Sequence, residues 1–236
     1  MPTLSTSLGP VSYDSQGHGD TIVFLASGGH DRHDYDELRA LLPDRFGSIA
    51  IDWPGHGQSP AWPFPPGEVQ LTQLVGEVVD ALSPAGAVLV GNSIGGNVAA
   101  RLAIKRPELV NGLMIIDSSG FEAPLGPGGR LFCTLMSRPW FLRAIYPVFS
   151  KAYMRARTDA DRRARSSAIA LTRTAAGAQA LSAMWHSFNL PSHDLRSRAA
   201  DISAPTVLVR GRHDPIVAPK CGEAAHELIA GSKLVM

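Results

Sequence analysis

Residues 87–107 read AVLVGNSIGGNVAARLAIKRP, and this stretch decides the fold. Its first part, AVLVGN (87–92), is a short apolar run suited to a strand buried on both faces. Its second part, NVAARLAIKRP (97–107), is a helical pattern stopped by Pro107. The two are joined through Gly91-Asn92-Ser93-Ile94-Gly95, with almost no connecting chain. So sharp a strand-to-helix turn strains the central residue and leaves no room for side chains two places to either side. Gly91 and Gly95 meet that demand, and Gly96 adds further relief. A serine held there is exposed at the positive end of a helix, and the N–H of Ile94 is placed to donate to an oxyanion. Glycine-rich strand–helix turns also cradle phosphates, but neither a lysine–hydroxyl ending nor a GxGxxG accompanies this one. Ser93 is therefore the candidate nucleophile.

Working outward, short apolar runs alternate with amphipathic stretches, the pattern of βαβ units around a mostly parallel, doubly wound sheet. TIVFLAS (21–27), GSIAIDW (47–53), LMIIDSS (113–119) and PTVLVRG (205–211) read as further strands, and KLVM (233–236) as the last apolar run. Helices are expected at 34–42, 68–82 and about 217–230. In the second of these, Leu71, Leu74, Val75, Val78, Val79 and Leu82 fall on one face at spacings of three and four. Residues 121–200 contain no strand-like run and several helical ones, so they read as a helical insertion over the sheet, with 1–120 and 201–236 as the α/β core. The insertion holds twelve Lys/Arg against four Asp/Glu, whereas the whole chain of 236 residues has a net charge of +1.

These bulk properties exclude several classes. A near-neutral chain gives no reason to expect nucleic acid as a partner. No apolar stretch reaches the roughly 18 residues of a membrane span, and the N-terminus lacks the basic and apolar regions of a signal peptide. Two scattered cysteines, Cys133 and Cys221, make neither a disulfide framework nor a metal cluster and suit a reducing cytoplasm. The expected partner is a small molecule, with no metal and no cofactor; the oligomeric state is open.

With these features together, the chain resembles the α/β-hydrolase family over its whole length. Asp52-Trp53-Pro54-Gly55-His56-Gly57-Gln58-Ser59 looks like the family's D-x-P-G-x-G-x-S turn, which shapes a loop near the site without taking part in chemistry. Gly211-Arg212-His213-Asp214-Pro215-Ile216-Val217 looks like its G-x-x-D-x-x-V turn, which implies Asp214 as the acid that orients the base; Asp117 is the alternative. The family commonly has His-Gly-x after the first core strand, where this chain has Ala26-Ser27. The resemblance then implies Gly28 as the second oxyanion donor beside Ile94, with Gly29 as the alternative. It also implies that the insertion forms a lid, with Trp140, Phe141, Tyr146, Phe149, Trp185 and Phe188 as lid residues that fill its own core or line a pocket.

The family's order is serine, acid, then a histidine after the last strand. No such histidine follows residue 233 here, so the base is expected beyond Met236 and the C-terminal end of the core is expected to be incomplete. The leading reaction is hydrolysis of a carboxylic ester or similar acyl bond of a small hydrophobic substrate, through an acyl-enzyme on Ser93. Asn92 and the doubled glycine after the serine also resemble the carbon–carbon-bond hydrolases of the same fold. A non-catalytic protein that senses a small molecule in the same pocket is the remaining alternative.

Overall fold

The computed structural model describes residues 2–236. Eight strands form one sheet: β1 (Thr3–Thr6), β2 (Gly9–Gln16), β3 (Asp20–Leu25), β4 (Phe46–Ile51), β5 (Ala87–Asn92), β6 (Val110–Ile116), β7 (Thr206–Val209) and β8 (Lys233–Val235). Their spatial order is β1-β2-β4-β3-β5-β6-β7-β8. From β4 to β8 all pairs are parallel; β1 and β2 form an antiparallel hairpin that pairs onto β4. The sequence pattern does not announce this hairpin. Its burial alternates only weakly and Pro10 interrupts it, so its pattern does not stand out as a strand.

The chain leaves β3 toward β4 on one side, then crosses back to β5 on the other side of β3. That reversal opens a crevice at the carboxyl ends of β3 and β5, the place where open α/β sheets bind ligands. The crossover is α2 (Glu68–Leu82), whose Leu71, Leu74, Val75, Val78 and Val79 are fully buried against the sheet and α3 (Ile94–Lys105). Burying each such side chain contributes about 1.5–3 kcal/mol. Between β3 and β4 the helical segment is shorter than 34–42, a 3-10 turn running into a single helical turn, α1 (Asp36–Arg39). α3 starts three residues earlier than the pattern 97–107 because Ser93 alone makes the reversal. Gly95 and Gly96 are already helical.

Between β6 and β7 the chain passes through α4 (Pro127–Met136), α5 (Pro139–Tyr153), α6 (Asp159–Arg173) and α7 (Ala175–Ser187). Thr158 and Asp161 cap α6 reciprocally: each side chain accepts the other's backbone N–H, at 3.1 and 2.9 Å. Phe132, Phe149, Trp185 and Phe188 from three of these helices and the end of α7 pack with ring centroids 5.4–5.8 Å apart. Trp140 is not part of that cluster and is 70% exposed. After β7 comes α8 (Lys220–Leu228), which leads into β8. No described helix is long and apolar enough to cross a membrane.

Candidate active site

Ser93 sits between the last residue of β5 and the first of α3 with φ 53° and ψ −119°, a region that non-glycine residues avoid. The steric reason for its neighbours is direct. A β-carbon on Gly91 would run into the carbonyl of Gly95, and one on Gly95 would run into the carbonyl of Leu25 at the end of β3. The elbow is then pinned on both sides of the serine. The Ser93 N–H donates to Ile116 O at 2.9 Å, and Ser93 O accepts from Gly96 N–H at 3.0 Å and Ser118 Oγ at 2.6 Å. Among the described residues nothing hydrogen-bonds Ser93 Oγ, and the residue borders a cavity of about 1210 Å³.

Gly28 and Ile94 border the same cavity beside Ser93. Ile94 is the first residue of α3, so its N–H has no intrahelical acceptor. Gly29 is different: its N–H donates to His56 Nε2 at 3.2 Å, whereas the N–H of Gly28 has no acceptor among the described residues. His56 Nδ1–H in turn donates to Pro54 O at 3.1 Å, fixing the tautomer. Complete burial pushes the His56 pKa down to about 4, so the ring is a neutral acceptor near neutral pH. The rest of the loop is held from below by Trp53 Nε1–H donating to Ala26 O (2.9 Å) and Tyr35 O–H donating to Leu25 O (3.1 Å). Asp52 anchors the turn that carries His56. Its carboxylate is fully buried, pairs with Arg32 and accepts the N–H groups of Arg32 and Gln58 at 2.9 and 2.8 Å. Asp52 and His56 thus shape the loop from outside the cavity lining.

Two carboxylates stand together past the ends of β6 and β7, both on the cavity wall. Asp214 Oδ1 accepts the N–H groups of Ile216 (2.7 Å) and Val217 (3.1 Å), which fixes the side chain and leaves Oδ2 for another donor. Asp117, with φ 43°, spends Oδ1 on the N–H of Gly211 at 2.8 Å. Burial pushes the Asp117 pKa up, and the nearby Asp214 adds to it against the opposing N–H of Gly211.

The histidines with described partners are engaged with groups other than Ser93. His30 pairs with Asp34 (2.7 Å) and meets Tyr153 Oη at 3.3 Å; burial lowers its pKa, but the Asp34 hydrogen bond and charge outweigh that and raise it. His226 bonds Ser232 Oγ at 2.9 Å. His193 bonds Glu68 and Ser119, an arrangement that no local spacing in the sequence announces. His213 borders the cavity next to Asp214. Opposite the sheet, Tyr146, Phe149, Trp185 and Phe188 close the cavity from the helical side, whereas Trp140 and Phe141 do not border it.

A parallel sheet with its reversal at β3, a serine strained onto a strand–helix elbow and amides beside it define the class. Residues 22–235 match the alpha/beta hydrolase family, and the chain belongs to that family and is a hydrolase by class. Among its relatives is the pimeloyl-[acyl-carrier protein] methyl ester esterase of Neisseria meningitidis, 30% identical over 223 residues, which are 91% of this chain and 83% of the relative. A serine hydrolase-like protein of Danio rerio is 32% identical over 112 residues, 44% of this chain, and the match spans only 32% of that protein's own length. A solved hydrolase from Pseudomonas aeruginosa PA01 superposes with a TM-score of 0.82 at 26% identity, covering 99% of this chain and 88% of that one.

Proposed function

We propose that this hydrolase cleaves carboxylic esters of small, largely apolar substrates through an acyl-enzyme on Ser93. The observation that carries the reading is the elbow itself: an unbonded serine hydroxyl beside the free N–H groups of Gly28 and Ile94, opening onto a large cavity. Ser93 Oγ attacks the ester carbonyl, a histidine takes its proton, and the two amides hold the oxyanion of the tetrahedral intermediate. Collapse expels the alcohol, which takes the proton back, and water then releases the acid by the same steps. Asp214 holds the histidine through Oδ2, in the role its pinned Oδ1 prepares it for. The histidines at 30, 56, 193 and 226 already hold other hydrogen-bond partners.

In this reading α4–α7 act as a lid. Tyr146, Phe149, Trp185 and Phe188 supply an apolar ceiling for the acyl or alcohol part. A methyl ester fits such a cavity, and the methyl ester esterase relative supports that choice of bond. Two buried, free cysteines fit a protein that works in a reducing cytoplasm.

The test is turnover of short-chain p-nitrophenyl and methyl esters by the protein and by its Ser93→Ala variant. Equal rates would overturn the assignment. Labelling by a fluorophosphonate probe separates an enzyme from a binding protein of the same fold, since an unactivated serine labels poorly.

A further inference from the structure

A second polar cluster reaches the same cavity. Glu68, the first residue of α2, is completely buried, and its Oε1 lies 2.5 Å from His193 Nδ1. His193 Nε2 lies 3.0 Å from Ser119 Oγ, and both His193 and Ser119 border the cavity that Ser93 opens onto. With the Glu68 carboxylate accepting, Nδ1 carries a ring proton, and in the neutral ring Nε2 is then an acceptor. The Ser119 hydroxyl therefore donates to the ring. Its proton is then committed to the ring, and Oγ is left to accept from whatever the cavity holds.

The ring is not needed as a strut for its own loop. Arg101 donates to Ser192 O, and Asn97 Nδ2 donates to His193 O at 3.2 Å and to Ser119 O at 3.2 Å, so the backbone on both sides is already tied to α3. Arg101 also stands 3.7 Å from Glu68 Oε2, which balances the buried carboxylate without using the histidine. Phe188 packs edge-on against the imidazole with centroids 5.0 Å apart, locking its orientation. A buried charge, an aligned ring and a hydroxyl with one defined proton position are more than the loop's geometry requires.

We infer that Glu68, His193 and Ser119 form a hydrogen-bond-accepting subsite that recognises a hydroxyl on the substrate, so that the preferred esters are hydroxy-substituted rather than plain alkyl esters. This rests on the ester-hydrolase reading for the reaction, but the recognition is a binding property of this subsite and needs no chemistry at Ser93. A hydroxyl donates to Ser119; a methoxy group at the same carbon offers only an acceptor and leaves Oγ without that donor.

The experiment is a binding series on the Ser93→Ala protein at about pH 8, where imidazoles are ordinarily neutral. The probes are methyl alkanoates carrying a hydroxyl at successive chain carbons, each paired with its methoxy analogue and read by calorimetry. At one chain position the hydroxy ester is expected to bind about tenfold or more tighter than its methoxy partner. That ratio should collapse toward one in Ser93→Ala/Ser119→Ala. It should also fall in Ser93→Ala/His193→Phe, where the hydroxyl has lost the acceptor that aims it, with cooperative thermal melting checked for each. A ratio near one at every position overturns the inference, and so does a ratio that survives removal of the Ser119 hydroxyl. If the protein binds with the expected ratio yet turns over no ester, the reaction reading fails and the subsite stands.

Discussion

The two walls of the cavity are built on different principles. The sheet wall is backbone: the ends of β3, β5, β6 and β7 bring amides, a strained serine and two carboxylates into one crevice, and Gly91, Gly95 and Gly96 of the elbow have no space for a β-carbon. The helical wall is side chain: Tyr146, Phe149, Trp185 and Phe188 reach the cavity from helices joined to the sheet only through β6 and β7. A backbone wall tolerates almost no variation, while a side-chain wall can be rewritten residue by residue. In the ester-hydrolase reading, reaction type is set on the first and the fit of the acyl chain on the second.

If that division holds, the largest effect comes from the sheet wall. Ser93→Ala should lower kcat for p-nitrophenyl butyrate by about 10⁴-fold or more. Loss of less than tenfold would mean that chemistry is not confined there. Next, Asp214→Asn should cost about 10³–10⁴-fold in kcat, while Asp117→Asn, already committed to Gly211, should cost less than about tenfold. The reverse order would move the acid to the end of β6.

The backbone wall also carries an acid-sensitive brace. His56 is neutral and buried, with a pKa lowered from 6.5 to about 4, so its stabilising contribution is fully present above about pH 6.5. Protonation of the unfolded chain erodes that contribution as pH falls from 6.5 to 4, by about 3 kcal/mol in all. Urea denaturation at several pH values measures the slope, and His56→Gln should flatten it; an unchanged slope would remove His56 from the brace. The smallest effect belongs to the helical wall. Phe149→Ala should redistribute kcat/KM among acyl chain lengths by about tenfold, and change the rate of labelling by a small fluorophosphonate far less. Equal losses for every chain length would show that the two walls are not separable.

The same division decides what the sequence discloses. The elbow is legible because its requirements are local: a valine-rich strand, glycine at two positions either side of Ser93, and a helix directly after. The face of α2 is legible for the same reason, since its period follows from the helix itself. The hairpin β1–β2 is not, because a short edge pair interrupted by a proline has little alternation to show. The assembly of Glu68, His193 and Ser119 is still less so. Glu68 lies 125 positions from His193 and Ser119 lies 74, and only the packing of the insertion's last turn against α2 and α3 brings them together. His56 was readable as part of a loop-shaping turn, but its hold on Gly29 depends on two loops meeting across the end of the sheet.

The conformation of Ser93 has a consequence outside catalysis. With φ 53° and ψ −119° the folded chain is spring-loaded at the residue it needs most, and such a backbone region costs on the order of 1–3 kcal/mol for any residue with a β-carbon. Ser93→Ala silences the serine without unloading that spring, but Ser93→Gly releases it. The glycine variant should therefore melt at a higher temperature than the alanine variant and match or exceed the parent, offset only by glycine's added freedom when unfolded. An inactive protein that is hardier than its working form is what results when a fold bends its own backbone to present one hydroxyl.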